Sequence, residues 1–409
     1  MPDENPGNGV CNPINALPQT CTLRAAIMEA NALGGAHNIF LPSGTYVLSN
    51  IGEDEDQAGT GDLDIHAEIL IVNGTSNRPL VSGNATDRIF DIHADGRLVL
   101  DNINLAGGRA NTPATLRGAA INVRGDASLL LQRAQVSLNL ANQGGAIYSD
   151  GSVRIVDSEL FSNAILAEEL LPEFSDGAAI FNRGSLIVER STLHDNGRLP
   201  GFQAPLSSVE FAIHSRRGFV TNPIVIIGNS TVYDNTNGVF SDGILTFITH
   251  TTVANNNKLG LRFLRDLDAL GQVQLTVIQS VIHGHNSDCN GLDPADAEYD
   301  LDFNINASSD ESCGFTGFND FQNIANPFFG GLADHGGPTP TLMPRSNGVL
   351  VDPIGGDCGS LTDDQRGQPR PIDGDDVSGA LCDIGAVEFN PAEDPEFEDR
   401  MFSDRFEQD

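Results

Sequence analysis

The residues with the clearest capacity for chemistry lie in an acidic, glycine-rich stretch near the N-terminus. Its carboxylates are Asp54, Asp56, Asp62 and Asp64, which surround the tripeptide Gly59-Thr60-Gly61. Closely spaced carboxylates on such a loop suit a hard cation that takes six to eight oxygen ligands, which favours Ca²⁺ over Mg²⁺. The spacing is not that of an EF-hand. The stretch therefore predicts a calcium site, with a solvated acidic loop as the alternative.

A second acidic stretch lies near the C-terminus, where Asp373 and Asp375 flank Gly374. The same ligand chemistry makes these residues a further candidate for Ca²⁺, and an acidic surface loop is again the alternative. The formal net charge is −34. A bound cation at either place would relieve the repulsion between carboxylates. We expect no organic cofactor, because no Walker loop or dinucleotide-binding fingerprint is present.

A histidine and a tyrosine occupy equivalent outward positions in a repeated segment described below. His194 is followed by Asp195, and Tyr233 is followed by Asp234. A histidine or tyrosine beside a carboxylate can act as general base or acid in a polysaccharide lyase or a glycoside hydrolase. These four residues are the candidate catalytic set, and a mixed polar exterior without an active site is the alternative.

Two further residues could assist such a reaction. They are His214 and Arg217, and an arginine can neutralise the carboxylate of a uronate sugar through paired hydrogen bonds. Against catalysis, the chain has no Trp, the side chain on which sugars commonly stack, and a single lysine, Lys258. Whether the protein is an enzyme is left open by the sequence.

The charge balance excludes several classes of partner. There are 22 Lys+Arg against 56 Asp+Glu. Nucleic acid and anionic membranes are therefore not expected partners, because phosphate recognition needs a basic surface. A polyanionic ligand is disfavoured unless a cation such as Ca²⁺ bridges it to the protein. No apolar run approaches the length of a membrane-spanning helix, so we expect no transmembrane segment.

The six cysteines form three local pairs along the chain. We predict the disulfides Cys11–Cys21, Cys289–Cys313 and Cys358–Cys382, although six cysteines allow fifteen pairings. Each bond would close a loop rich in Gly, Pro and Asp. An even number of cysteines in loops is typical of an oxidising compartment, and six free thiols in a cytosolic protein are the alternative.

A repeated segment predicts the fold. Two aliphatic residues alternate with polar ones, then a hydroxyl residue, an aliphatic residue and an Asn follow, as in VRIVDSELFSN from Val153. The hydroxyl positions are Ser158, Ser191, Ser230, Thr251 and Ser280. Period-two alternation indicates a strand with one buried face, and the shift of phase before the hydroxyl indicates a corner. Repetition of strand, corner and strand predicts a parallel β-helix, with an antiparallel sandwich as the alternative.

The asparagines at the end of each repeat are expected to stack. They are Asn163, Asn196, Asn235 and Asn256, and His285 interrupts the series. An Asn amide can satisfy turn backbone groups and tolerates a left-handed conformation. A second series, GAAI from Gly118, GGAI from Gly144 and GAAI from Gly177, predicts another side of the same coil.

Both ends of a solenoid need a cap. The segment from Cys21 to Leu33 has a helical pattern, with Leu23, Ala26, Ile27, Ala30 and Leu33 on one face. We divide the chain into an N-terminal segment and capping helix (1–36), the β-helix (37–326), a loop-rich C-terminal cap (327–389) and an acidic flexible tail (390–409).

Both ends also resemble known families. The sequence CTLR from Cys21 resembles the CSLREA domain of secreted bacterial proteins, although Ala25 stands where that motif usually has Glu. The segments LADHGGPTPTLMP from Leu332 and CDIGAVEF from Cys382 resemble the choice-of-anchor Q type of surface protein. The ending MFSDRFEQD is similar to C-terminal endings on exported proteins of Gram-negative bacteria. The resemblance implies a right-handed β-helix that is secreted or displayed on the outer cell surface.

Together these observations predict a single right-handed parallel β-helix with two caps. The function we expect is an exported surface or matrix protein that binds or adheres, is supported by calcium, and has a polysaccharide or another cell-surface molecule as its ligand. The alternative is an extracellular polysaccharide lyase or glycoside hydrolase with its active site in a side groove. The insertions at 164–175 and 198–209 would form the walls of that groove.

Overall fold

The structure is a computed structural model. It describes residues 1–12, 14, 20–52, 55–110, 112, 116–166, 176–197, 210–218, 223–264, 273–291, 299–317, 319–375, 377 and 379–393. For residues 273, 274 and 299–302 it describes the backbone alone. The candidate ligand Asp54, most of the two predicted groove walls and the tail beyond residue 393 lie outside the described residues.

The chain winds as a parallel β-helix, and each coil contributes strands to three sheets. The hand is right-handed, as parallel crossover connections are. Sheet A contains Ala36–Phe40, Glu68–Val72, Arg97–Asp101, Ser128–Gln132, Ser152–Val156, Ser185–Glu189, Ile224–Gly228, Leu245–Thr249, Val273–Ile278 and Tyr299–Asn304. Sheet B contains Thr45–Val47, Leu80–Ser82, Asn104–Ala106, Gln135–Ser137, Glu159–Phe161, Thr192–His194, Thr231–Tyr233, Thr252–Ala254, Val281–His283 and Ala307–Ser308. Sheet C contains Leu63–Ile65, Phe90–Ile92, Ile121–Val123, Ile147–Ser149, Ile180–Asn182, Phe211–Arg216, Asn237–Asp242, Leu259–Leu264 and Ser287–Asn290.

Smaller elements complete the fold. A three-stranded sheet lies between sheets B and C along the chain and contains Arg109–Ala110, Leu140–Ala141 and Ala164–Ile165. An antiparallel pair is formed by Phe328–Ala333 and Thr341–Pro344, and a 3₁₀ helix spans Pro391–Glu393. No helix of the described residues is long and apolar enough to cross a membrane.

Equivalent aliphatic residues stack from coil to coil, as the repeats predicted. In sheet A, Val153 pairs with Leu186, and Ile155 pairs with Val188. Val188 pairs in turn with Ile227. All of these side chains are buried in one continuous core, so the period-two alternation is the inward face of a solenoid.

The corner between sheets A and B explains the shift of phase in the repeat. Asp157 adopts a left-handed conformation with φ 52°, and the hydroxyl residue Ser158 follows it. The Ser158 hydroxyl donates to the Val156 carbonyl and accepts from the Ala134 N–H of the preceding coil. Ser158 N–H donates in the same way to the Ser191 hydroxyl of the next coil. The buried hydroxyls therefore satisfy backbone groups at the corner.

The predicted asparagine ladder is present and is longer than expected. Asn163 Nδ2 donates to Asn196 Oδ1 at 3.1 Å, and Asn196 Nδ2 donates to Asn235 Oδ1 at 2.9 Å. Asn139 extends the ladder at one end, donating to Asn163 Oδ1 at 2.9 Å. The sequence pattern missed Asn139 because Ala134 occupies its hydroxyl position. His285 does not interrupt the series, because its Nε2 lies 3.1 Å from Asn256 Nδ2 and continues it.

The N-terminal helix spans Leu23–Leu33 and is capped by the Thr22 hydroxyl, which accepts from Ala25 N–H. Leu23, Ile27 and Ala30 are buried as predicted, but Leu33 is 49% exposed. The buried face of the helix includes the polar residues Arg24 and Glu29 in place of Leu33. Arg24 donates to the carbonyls of the loop around Gly61, and the Glu29 carboxylate accepts from two glycine N–H groups.

The C-terminal segment, residues 327–393, lies along the side of sheet B. Its Gln365 side chain donates to the Thr192 hydroxyl and accepts from the Thr231 hydroxyl. Ala386 N–H donates to the Thr252 hydroxyl. The segment therefore covers an outward threonine row of the coil, while Cys313 and Phe315 pack against the last coils of the core. All three predicted disulfides are formed: Cys11–Cys21, Cys289–Cys313 and Cys358–Cys382.

Candidate functional sites

Two of the predicted N-terminal ligands lie in or next to sheet C. Asp64 is the outward residue of the first strand, and Asp91 occupies the equivalent position on the next coil. Asp62 precedes the first strand. Asp56, Asp62, Asp64 and Asp91 form what we call the N-terminal acidic cluster. All but Asp56 are buried, with exposed fractions of 1–5%.

Arginines already neutralise much of the N-terminal acidic cluster. Arg88 Nε lies 2.6 Å from Asp62 Oδ2, and Arg88 Nη1 lies 3.4 Å from Asp91. Arg124 Nη2 bridges Asp91 and the exposed Asp56, at 2.9 Å from each. Guanidinium groups therefore hold the carboxylates at the place where the sequence predicted Ca²⁺.

The two buried aspartates beside Arg88 respond differently to their surroundings. Burial raises the pKa of Asp62 well above its ordinary value, and neighbouring carboxylates raise it further against the effect of Arg88. Burial alone would also raise the pKa of Asp91, but Arg88 and Arg124 bring that pKa below its ordinary value. The network therefore holds Asp91 ionised and disfavours the charge on Asp62.

A histidine joins this cluster. His93 Nε2 lies 2.7 Å from Asp64 Oδ1, and Asp64 Oδ2 accepts from Ala58 N–H at 2.7 Å. Two trios have ligand atoms within 4.8 Å of one another and could hold a metal ion: Asp56, Asp64 and His93, and Asp62, Asp64 and Asp91. The sequence analysis missed Asp91 and His93. The signal was the motif Asp-Ile-His-Ala, which occurs at 64–67 and again at 91–94.

The C-terminal candidates meet a carboxylate that the sequence analysis did not single out. Asp352, Asp373 and Asp375, which we call the C-terminal acidic cluster, place ligand atoms within 4.8 Å of one another. Asp352 Oδ2 accepts from Gly374 N–H at 2.6 Å, and Oδ1 accepts from Leu381 N–H at 2.8 Å. Burial raises the pKa of Asp352 above its ordinary value. Backbone N–H groups thus position this carboxylate on the loop around Gly374.

Beneath this cluster lies a fully buried charge network. Arg370 Nη1 lies 3.4 Å from Glu388, and Asp383 accepts from Asp352 N–H at 2.8 Å. Burial raises the pKa of Glu388 to about 7, against the attraction of Arg370. Burial and the charge of Glu388 also raise the pKa of Asp383. The C-terminal segment therefore contains acids that hold protons in the folded protein near neutral pH.

The candidate catalytic histidine lies on the outer face of sheet B. His194 Nε2 is 2.9 Å from Glu159 Oε1, and Nδ1 is 2.7 Å from Asp195 Oδ2. Its ring stacks on Phe161 at 5.3 Å between centroids. Burial alone would lower the pKa of His194, but the bonds to Glu159 and Asp195 raise it. The two carboxylates anchor the ring and favour its protonated form, because both ring nitrogens then donate.

The remaining candidates do not converge on His194. Tyr233 pairs with His194 in register, but it packs against the apolar cluster beneath the C-terminal segment. Asp234 follows it at a left-handed turn with φ 48°. His214 lies in a different sheet, sheet C, where its ring stacks on Phe240 at 4.3 Å. Arg217 is exposed and follows the same strand of sheet C.

The fold and these sites define a parallel β-helix with disulfides and buried acidic clusters. No family model matches the chain, and no curated protein is significantly similar to it. One solved structure is similar, the crystal structure of pectate lyase Pel9A, with a TM-score of 0.49, 13% sequence identity and coverage of 90% of each chain. Nothing about activity follows from a likeness at this level. The resemblance of the two chain ends to CSLREA and choice-of-anchor Q proteins stays a prediction.

Proposed function

We propose that this protein is an extracellular binding protein, which holds a polysaccharide or another cell-surface ligand on the side of its solenoid without cleaving it. The three disulfides support an oxidising compartment. Export and a Gram-negative source rest on the resemblance of the chain ends. The described residues include no helix suited to crossing a membrane.

The observation that carries this proposal is that both ring nitrogens of His194 contact carboxylates. A general base needs a ring nitrogen with a free lone pair, and both nitrogens here face carboxylates. The next outward residues of the same column are withdrawn from solvent by the C-terminal segment. Tyr233 packs beneath it, and His283 is buried with its ring 6.1 Å from that of Phe328. The arrangement favours a rigid surface over a catalytic cleft.

A polysaccharide panel tests the proposal. Neutral and acidic polysaccharides are incubated with the protein, and products are measured as new reducing ends and as unsaturated-product absorbance. Binding is measured in parallel by affinity gel electrophoresis. We expect retarded migration with at least one polysaccharide and no product. His37→Ala, at a half-buried histidine of sheet A, is the matched control for His194→Ala. Product formation that His194→Ala abolishes and His37→Ala retains would establish the lyase or hydrolase instead.

We further propose that the cation supporting the fold is Ca²⁺, held by the C-terminal acidic cluster. Three oxygen ligands from Asp352, Asp373 and Asp375 suit Ca²⁺, and a loop built around Gly374 can supply more oxygens. The N-terminal acidic cluster is the poorer candidate, because Arg88 and Arg124 occupy its carboxylates. A calcium titration followed by calorimetry, with Asp352→Asn as the negative control, tests this assignment.

A further inference from the structure

Two sets of arginines on the solenoid differ in whether a carboxylate faces them. On sheet A and the corner that follows it, four arginine side chains face a carboxylate of a neighbouring coil. These pairs are Arg97–Glu68 at 3.8 Å, Arg133–Asp101 at 2.5 Å, Arg154–Glu189 at 2.6 Å and Arg190–Asp157 at 2.7 Å. In each pair the carboxylate offsets the guanidinium charge and leaves less positive charge for a ligand.

Beside sheet C, Arg124 and Arg183 are also paired with carboxylates, but four other arginines are not. Arg117, Arg216, Arg217 and Arg262 form what we call the arginine face. Among the described residues, none of these four side chains lies within ion-pair distance of a carboxylate. Arg117, Arg216 and Arg217 are exposed. Arg262 is half-buried, and its Nε has no hydrogen-bond partner.

A column of rings supports this face. Tyr148, Phe181, His214 and Phe240 occupy equivalent outward positions on successive coils of sheet C. Arg117 lies over the Tyr148 ring at 4.7 Å, and Arg262 lies over the Phe240 ring at 4.8 Å. The rings therefore fix one guanidinium at each end of the column by cation–π contact.

Two carboxylates beside this column already have a cationic or imidazole neighbour, and a third, Asp242, pairs in register with Arg216. Asp150 lies 3.4 Å from Arg183, and Asp176 lies 2.6 Å from His214 Nδ1. The arginine face thus keeps positive charge on a chain with a net charge of −34. At physiological ionic strength the distant negative charges are screened beyond about 8 Å, so a local cationic surface can bind an anion.

We infer that the arginine face binds a linear polysaccharide bearing carboxylate or sulfate groups, with the glycan running parallel to the solenoid axis. Successive coils are about 4.8 Å apart, close to the advance of one sugar residue in an extended chain. Guanidinium groups suit carboxylate and sulfate through paired hydrogen bonds. This inference rests on the proposed binding function and names its ligand class. It differs from the expectation, drawn from net charge, that a polyanion needs a bridging cation.

The test compares two triple variants that change the net charge equally. Arg117→Gln/Arg216→Gln/Arg217→Gln removes the exposed cations of the arginine face, and Arg97→Gln/Arg133→Gln/Arg154→Gln removes arginines of sheet A. Binding of polygalacturonate, dextran sulfate, neutral dextran and duplex DNA is measured by calorimetry at physiological salt with EDTA present. Circular dichroism and thermal melting establish that both variants are folded.

We expect the wild type to bind polygalacturonate or dextran sulfate, and the arginine-face variant to bind it about tenfold or more weakly. The sheet A variant should stay within about twofold of the wild type. Stronger binding of polygalacturonate assigns carboxylates as the ligand groups, and stronger binding of dextran sulfate assigns sulfates. Equal losses in both variants, binding abolished by EDTA, or DNA bound as tightly as the glycan would overturn the inference. Binding of neutral dextran alone would overturn it and leave the proposed function standing, whereas product formation would remove the proposed function.

Discussion

The N-terminal and C-terminal acidic clusters have similar compositions but compensate their charge by different means. In the N-terminal cluster, Arg88 and Arg124 hold buried aspartates by ion pairs. In the C-terminal cluster, backbone N–H groups donate to Asp352. An N–H group positions a carboxylate without cancelling its charge, so Asp352 still favours a nearby cation or a proton. Similar acidic stretches in a sequence can thus have different relations to a metal ion.

The largest expected effect on stability comes from removing Arg88, the buried arginine that contacts the N-terminal acidic cluster. Arg88→Ala leaves Asp62 and Asp91 without their shared cation in a buried site. We expect the free energy of unfolding to fall by about 3–5 kcal/mol, as for other broken buried pairs. Denaturant unfolding measures it. Arg97→Ala, whose pair with Glu68 is exposed on both sides, should cost less than about 1 kcal/mol. Equal losses in the two variants would contradict the comparison.

The buried acids of the C-terminal segment should make stability depend on pH. Folded Glu388 keeps its proton to about pH 7, whereas the unfolded side chain ionises near its ordinary value of 4.5. Between these values the folded state binds more protons, so stability falls as the pH rises through the folded pKa. The loss is about 3 kcal/mol at most. Unfolding free energies at pH 5, 6, 7 and 8 should show this decline in the wild type and a smaller one in Glu388→Gln.

The pH prediction has a clear contrary outcome. Asp91 in the N-terminal cluster has a lowered pKa, so its contribution is present at neutral pH and is lost only as the pH falls through that lower folded pKa. If acids with a lowered pKa, such as Asp91, dominated, the free energy of unfolding would stay constant from pH 5 to 8. A flat profile in the wild type, or the same decline in Glu388→Gln, would show that Glu388 does not carry a proton in the fold.

Chelation should distinguish the two clusters. At a calcium concentration one hundred times the dissociation constant, bound Ca²⁺ would add about 2.7 kcal/mol to the stability of the wild type. EDTA should therefore lower the thermal midpoint of the wild type and of Asp56→Asn, but not that of Asp352→Asn. An unchanged thermal midpoint in the wild type would show that Ca²⁺ does not stabilise this protein. A response lost in Asp56→Asn but kept in Asp352→Asn would place the ion at the N-terminal cluster.

The smallest expected effect on stability comes from Arg124→Gln, which should let the N-terminal acidic cluster bind Ca²⁺ as we propose for the C-terminal one. Arg124→Gln removes the half-exposed guanidinium that bridges Asp56 and Asp91. We expect a loss of about 1 kcal/mol in the free energy of unfolding, partly recovered when Ca²⁺ is added. Arg154→Gln, which breaks an exposed pair on sheet A, is the matched control and should show no recovery by Ca²⁺. Equal responses of the two variants to Ca²⁺ would show that arginine does not exclude the ion.

Much of the solenoid was predictable because its rules are local. Alternation in Val153 and Ile155 identified the inward face, and the recurring Ser158 and Asn163 positions identified a corner and a ladder. These patterns follow from the period of a strand and from backbone groups that must be satisfied at each turn. Asn139 was missed because the pattern required a hydroxyl that Ala134 replaces. The disulfides followed from short separations along the chain.

The candidate sites were predictable only in part, because they depend on contacts between coils and with the C-terminal segment. Asp64 was identified from its own loop, but its partners Asp91 and His93 lie on the next coil. Asp352 is 22 residues from Gly374 in the chain and was not part of the acidic stretch identified, and the loop around Gly374 brings it to Asp373. His194 was identified, but the Glu159 that holds its second nitrogen was not, since register across coils is not visible in a single repeat.

By itself, then, the sequence determined the winding of the chain, the N-terminal helix and the cysteine pairs, because each depends on residue types at short spacing. Tertiary structure alone decided which charges neutralise one another. Arg88 and Arg124 reach carboxylates of other coils, whereas Arg216 and Arg217 find none among the described residues. Electrostatic energy depends on distance in space, and coils that stack in register bring together residues that are far apart in the chain.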